Sequence, residues 1–473
     1  MANRGANRIK KEPNELDNNL HIETLLANTP SVDGGGIAPV TGAIYQTSSF
    51  INNGKTEREC VAYGEKLAKA HGFEDLNAVV RSGRKLEAGA RVYANWMGKS
   101  FMLFVLGEKP LEEGMNILGA HIDSPRIDVK QNPLYEDTDL AYLDTHYYGG
   151  IKKYQWVAIP LALHGVIVRK TGEKVIINIG EDENDPVFCI SDLLVHLAQE
   201  QMTKNAKEVV EGEALNLIVG GRPLEGEEKD AVKANVLKLL ADKYGVEEED
   251  FLSAELEIVP AGKARDMGFD RSMILAYGHD DRVCAYPSMM AVLDYEGTPE
   301  YTLCCIVTDK EEIGSVGATG MASHYLENTV AELYACTADY CELAVRRCLR
   351  NSRMLSSDVS AGYDPNFASA FEKKNSAFLG RGICFNKFTG SRGKSGSNDA
   401  NPEFMASLRK IMDDAGVAFQ TAELGRVDLG GGGTIAYLCA KYGMNVIDSG
   451  IPVLSMHAPY EVISKVDLYE GYR

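Results

Sequence analysis

Eight residues of this chain have types and spacing that suit metal chemistry: His121 and Asp123, Asp280 and Asp281, Glu311 and Glu312, Asp358, and His457. In chain order they read H-x-D, D-D, E-E, D, H. Imidazole nitrogens and carboxylate oxygens are the ligands that zinc-like divalent cations take. A pair of cations would need one carboxylate to bridge them, open positions for water and substrate, and one carboxylate left over as a general base. This set supplies all of these. Each fragment alone has a blander reading: H-x-D is usually structural, and adjacent glutamates usually face solvent. Here Glu311 and Glu312 follow the apolar run YTLCCIVTDK, and His457 follows IPVLSM. A carboxylate pair delivered to the end of a buried strand needs a cation or a shared proton.

The elements that must position these groups can be read from periodicity. Residues 55–72 have the pattern of an amphipathic helix. ARVYANW and SFMLFVLG follow as a strand pair, and NILGAHIDS as a strand that ends on His121 and Asp123. SMILAYGHDD, YTLCCIVTD, ACTADY and GIPVLSMHAP read as further strands ending in polar groups, and MASHYLENTVAELY and NPEFMASLRKIMDDAG as helices. Open α/β sheets place their sites at the carboxyl ends of strands. Between these segments the texture changes to short β-like runs with turns (WVAIPLALHGVIVRK, KVIINIG), then a charged helical stretch near 225–250. The expected fold is therefore a mixed α/β catalytic domain, discontinuous over 20–130 and 271–473, with a β-rich insert at 131–270. Residues 1–19 read as a loose tail.

At 473 residues the chain is too long for one core. A net charge of −19 argues against nucleic-acid binding, which needs a basic surface. The ten cysteines include no C-x-x-C pair, and they read as reduced, mostly buried thiols. With no apolar stretch near membrane-spanning length and no signal core at the start, the expected location is the cytoplasm, without a membrane partner.

The set resembles the aspartyl aminopeptidase / aminopeptidase I family of co-catalytic zinc metallopeptidases. GAHIDSPR (119–126), DKEEIGSVGATG (309–320), SSDVSAGYDPNF (356–367) and IPVLSMHAP (451–459) carry the resemblance, in the family's order, over nearly the whole chain. It implies two divalent metal ions per subunit, zinc or else cobalt or manganese. His121 and Asp358 would hold one and Glu312 and His457 the other, with Asp281 as the bridge. Glu311 would be the general base on a bridging water, and Asp123 would orient His121. The substrates would be peptides with a free N-terminus. FCISDLLVHLAQ in the insert resembles a family segment whose histidine reaches the neighbouring subunit's site, at His196 here. The insert would then be a dimerisation element, and the assembly a homododecamer.

This chain also departs from the family. Arg282 follows the expected bridge where the family usually has Asn. YGGIKKYQWVAIP stands in place of GGGxWxxWxDR, and RVDLGGGG in place of the acid-specific RNDTPCG. Lys394 and Asp428 are the candidate determinants of the residue cleaved, and the acidic balance around them favours neutral or basic N-terminal residues over Asp or Glu. The same ligands would serve a related di-zinc N-deacylase or carboxypeptidase. A non-catalytic scaffold of this fold is expected to have lost Glu311 or a ligand, and none is lost.

Overall fold

A computed structural model describes residues 39–473. The tail expected at 1–19, and the start of the catalytic segment at 20, lie outside the described residues. Helices α1 (Pro39–Asn53), α2 (Glu57–Ala70) and α3 (Leu76–Ser82) lead in, together with strands β1 (Glu74–Asp75), β2 (Arg91–Trp96), β3 (Ser100–Val105) and β4 (Met115–His121). Six strands follow as a unit: β5 (Arg126–Asp137), β6 (Leu140–Tyr148), β7 (Leu161–Val168), β8 (Lys174–Ile179), β9 (Leu217–Gly220) and β10 (Ala254–Pro260), with helix α4 (Ala231–Tyr244) before β10. The remainder holds β11 (Arg265–Met267), β12 (Met273–Ala276), α5 (His279–Leu293), β13 (Thr302–Thr308), α6 (Tyr325–Thr337), α7 (Glu342–Asn351), β14 (Arg353–Ser357), β15 (Ser360–Ala361), β16 (Ile383–Asn386), α8 (Pro402–Ala415), β17 (Phe419–Thr421), α9 (Ala436–Ala440), β18 (Asn445–Gly450), β19 (Pro452–Leu454), β20 (Glu461–Ser464) and α10 (Lys465–Tyr472).

A mixed nine-stranded sheet, ordered β1-β2-β3-β13-β4-β14-β18-β16-β17, forms the body expected to be catalytic. Its centre, β13-β4-β14-β18, is parallel. The apolar run of β13 is buried on both faces: Cys304 and Ile306 enter one core, Cys305 and Val307 the other. That is why it reads as a continuous hydrophobic stretch without alternation. The four parallel strands end on one edge of the sheet, and they deliver His121, the Glu311–Glu312 turn and Asp358 there. A second sheet, β11-β12-β20-β19-β15, brings the rest. Asp280 follows β12, and His457 lies between β19 and β20.

The third sheet, β8-β7-β10-β5-β6-β9, is antiparallel and holds its own core around Trp156, Leu161, Leu215 and Ile258. It begins at Arg126, five residues before the expected insert boundary, and β11 already belongs to the second sheet. ACTADY is not a strand: α6 continues through Thr337 and a turn follows, because the 3.6-residue pattern of the preceding helix outlasts its last large apolar residue. FCISDLLVHLAQ forms two isolated bridges, Phe188 to Leu161 and Cys189 to Ile218, and then a 3-10 turn, Val195–Leu197, in an exposed stretch.

A buried charge cluster joins the third sheet to the catalytic body. Arg126 Nε lies 2.8 Å from Asp128 and 3.1 Å from Glu257, and its Nη1 lies 3.6 Å from Glu57. Lys99 reaches Glu57 at 3.1 Å and Glu255 at 2.7 Å. Burial works against ionisation of Glu57, but Arg126 and Lys99 overcome it and hold this carboxyl below the usual range. For Glu257 burial wins and raises it. Arg126 also stacks on Tyr148, 3.9 Å from the ring centre. Removing one member of such a cluster strands the others. Arg126→Met should lower the unfolding free energy by about 3–5 kcal/mol, measured as an earlier midpoint in denaturant. A midpoint unchanged from wild type would show that the joint does not depend on this cation.

Candidate metal centre

Two imidazoles face one carboxylate. His121 Nε2 is 3.1 Å from Asp280 Oδ1, and His457 Nε2 is 3.2 Å from Asp280 Oδ2. Glu312 Oε2 lies 3.4 Å from His457 Nε2, and Asp358 Oδ1 and Glu311 Oε2 each lie 4.0 Å from His121 Nε2. Donor atoms of His121, Asp280 and Glu312 fall within 4.8 Å of one another, as do those of His121, Asp281 and Asp358. Asp280 therefore stands where the sequence reading put Asp281. Asp281 is turned the other way: its Oδ2 accepts the backbone N–H of His121 at 3.3 Å. Both aspartates have dihedrals outside the helical range at the entrance to α5, so their side chains diverge. With Asp280 in the middle, the residue after it is Asp281, so the departure from the family's Asn falls on Asp281 and not on Arg282. Arg282 lies buried beneath the site and donates to the carbonyls of Ile122 and Lys55 at 3.2 and 2.7 Å. Gly278, at φ +73°, makes room for it, because a Cβ there would meet Arg282 Nη1 at 2.0 Å.

Neighbouring groups fix both imidazoles. His121 Nδ1–H donates to the Asp123 carbonyl at 3.0 Å and His457 Nδ1–H to the Gly150 carbonyl at 3.2 Å. Each Nε2 lone pair is thereby left for the centre, the usual arrangement of metal-ligating histidine. Asp123 does more than orient His121. Its two oxygens accept the backbone N–H groups of Glu311 and Glu312 at 3.1 and 3.2 Å, and Oδ2 also accepts the Tyr148 hydroxyl at 2.8 Å. Two contributors escaped the sequence reading. One is Tyr148. The other is Glu461, which is buried and accepts the backbone N–H of His457 at 2.7 Å and of Asp280 at 3.0 Å. Its only signal was an acid four residues after His457, on an apolar strand.

The charges do not balance. Burial raises Glu311 to about 7, and it carries Glu312, Asp281 and Asp358 well above their ordinary range. Burial of His457 lowers its pKa, but Asp280 and Glu312 prevail and raise it to about 10. Burial likewise opposes ionisation of Asp280, yet contact with His121 and His457 holds it below the usual range. Two buried oxygens of the group, Glu312 Oε1 and Asp281 Oδ1, have no hydrogen-bond partner. Crowded carboxylates, two pre-set imidazoles and orphaned oxygens fit divalent cations with N/O ligands.

The centre opens into a cavity of about 640 Å³ walled by Phe371, Leu424, Leu429 and the run Gly430–Gly433. Neither Lys394 nor Asp428 lines it. Lys394 Nζ pairs with Asp399 at 3.0 Å and sits over the Phe388 ring, while Asp428 is exposed on the loop behind Leu429. Sequence neighbourhood had suggested both, but the loops that carry them turn these side chains outward. His196 is exposed in the insert and does not reach this chain's own centre. Asp448 does line the cavity and had no part in the sequence reading.

The sequence matches the family described as aminopeptidase I zinc metalloprotease (M18) over residues 50–473. It is 60% identical over 423 residues to a probable M18 family aminopeptidase 1 of Clostridium acetobutylicum, covering 89% of this chain and 91% of that protein. The fold is similar to the crystal structure of an M18 aminopeptidase from Thermotoga maritima, with a TM-score of 0.87, 42% identity, and coverage of 94% and 97% of the two chains. It is also similar to the mApe1 dodecamer of S. cerevisiae, with a TM-score of 0.71 at 20% identity over 92% and 96%, a likeness of fold alone. With the match spanning almost all of the described residues, this chain belongs to the M18 family of aminopeptidase I zinc metalloproteases.

Proposed function

We propose that the chain removes single residues from the N-terminus of peptides at a centre of two divalent cations. One would be held by His121, Asp280 and Asp358, and the other by Glu312, Asp280 and His457. The observation that carries this reading is Asp280, with one carboxylate oxygen at each imidazole. Bound there, the cations supply Lewis acidity to water and to the scissile carbonyl. Zinc fits the donor set, and cobalt and manganese share these ligand types.

Glu311 is the general base of this reading. It lines the cavity, its Oε2 stands 4.0 Å from His121 Nε2, and burial favours the protonated form of its carboxyl, which suits a group that accepts a proton and hands it on. It takes a proton from the attacking water and returns it to the leaving amine. Asp123 holds the Glu311–Glu312 turn through two backbone N–H groups, so the base and the ligand beside it are fixed together. The free α-amine of the substrate, a cation, suits the surplus of carboxylates around the centre.

The reading extends to a second copy of the chain. Beside His196, the side chains of Leu194, Val195 and Leu197 are 54%, 74% and 68% exposed. An apolar patch of this kind marks a protein interface. We infer that it packs against a neighbouring subunit and carries His196 to that subunit's cavity, in a homododecamer like the one the S. cerevisiae structure records. Among the described residues no helix is long and apolar enough to cross a membrane, and all ten cysteines are free thiols, which suits a cytoplasmic peptidase.

Three outcomes test this reading. Chelation should abolish hydrolysis of aminoacyl-anilides, and zinc, cobalt or manganese should restore it; full activity in protein shown metal-free by elemental analysis would refute the cation centre. Glu311→Gln should keep the bound metal and lose on the order of 10²–10⁴ in kcat, whereas Glu312→Gln should bind less metal. The reverse pattern would exchange the two roles. Light scattering should find an assembly far larger than one subunit, and His196→Ala should lower kcat/KM without changing its size. A fully active monomer would refute the shared site.

A further inference from the structure

Asp448 is the feature of the cavity that the peptide-bond chemistry above does not use. It lies on β18, where it pairs with Ser356 of β14 and with Asn386 of β16. Paired residues on adjacent strands share a face, so Ser356, Asp448 and Asn386 form one polar row across the carboxyl end of the sheet. The row meets the cavity at Asp448 and Asn386, with Thr389 and Thr434 beside them.

The hydrogen bonds of this row do not close. Thr434 donates its hydroxyl to Asp448 Oδ1, and Asn386 donates to the Ala422 carbonyl at 3.0 Å. Asp448 Oδ2, Ser356 Oγ and Thr389 Oγ1 are buried with no partner. Asp448 itself is 2% exposed. No lysine or arginine is among the residues lining the cavity. A buried carboxylate without a cation or a full set of donors is costly, by a few kcal/mol in proteins, and the cost is met when a ligand brings the missing charge. Glu311 lines the same cavity, so Asp448 opens onto the space in which the chemistry takes place. Apolar or small walls line the same cavity, formed by Phe371, Leu424, Leu429 and the glycine run. A side chain that fits has an apolar stem and an ammonium tip.

Building on the aminopeptidase reading, we propose that Asp448 is a specificity-determining residue that receives the side-chain ammonium of an N-terminal lysine. Lys394 and Asp428, on outward-facing loops, then have no direct part in the choice.

The test compares L-lysine with L-norleucine, which has the same stem and no ammonium, by calorimetric titration of the metal-loaded full chain and of Asp448→Asn. Wild type should bind lysine at least tenfold more tightly, a difference of about 1.4 kcal/mol, and the variant should retain less than a threefold preference. Less than tenfold preference in wild type, including no measurable binding of lysine, overturns the proposal whether or not the variant folds. So does a variant that keeps the tenfold preference, or one that loses both ligands alike while its melting curve stays that of wild type. Hydrolysis of leucyl-anilide by the same wild-type preparation reports separately on the aminopeptidase reading, so a failure of one is not taken for a failure of the other.

Discussion

The structure is organised around a concentration of negative charge that the protein cannot neutralise by itself. Asp280, Asp281, Glu311, Glu312 and Asp358 converge at the carboxyl edge of the central sheet, opposed by only two imidazoles. Burial disfavours the charged form of these carboxyls and the neighbouring carboxylates add to the effect, which is why several of them stand well above their ordinary range. Much of the surrounding architecture holds the groups in place against that repulsion. Asp123 ties the Glu311–Glu312 turn to His121, and Glu461 ties the backbone of Asp280 to that of His457. Arg282 packs underneath against carbonyls, not carboxylates, so it steadies the floor without quenching the centre.

Much of this was legible in the sequence, for identifiable reasons. A strand buried on both faces has no cause to end in two glutamates unless something cationic meets them, so β13 exposed the centre through its own composition. The same holds for the approach of β4 to His121 and of β19 to His457. Asp280 and Asp281 were harder to separate. Adjacent acids differ only in the dihedrals at the entrance to α5, and these place one carboxylate between the imidazoles and turn the other toward a backbone amide. Asp448 and Glu461 were not legible because each sits in an apolar strand, where an acid reads as a local exception until its neighbours on other strands are known. In FCISDLLVHLAQ, Ile190 and Ala198 are buried while Leu193, Leu194, Val195 and Leu197 are exposed, a division that hydrophobic content alone does not reveal.

Loops with little regular structure shape the cavity walls. Gly430–Gly433 lines one side, and in places the backbones approach so closely that no side chain fits: a Cβ on Gly431 would meet the Gly390 carbonyl oxygen at 2.6 Å. Such loops can vary between relatives without disturbing the sheet that carries the ligands. The crowded carboxylates and the cavity walls are thus built from different material, the first from strand ends and the second from loops, with the Asp448 row as a point where the two meet.

The interleaving of the central sheet also bears on how the enzyme comes into being. β4 lies between β13 and β14, both of which are encoded on the far side of the insert. A chain emerging from the ribosome presents β4 long before either parallel partner exists, and pairings of such long range form slowly. The six strands from Arg126 to Pro260 need only one another and can close first. His121 must then wait for Asp280, for Glu312 and finally for His457, which emerges last of the group. A half-synthesised chain therefore carries all six strands of the third sheet but only part of the group that His121 joins, so the peptidase stays silent until synthesis is almost complete.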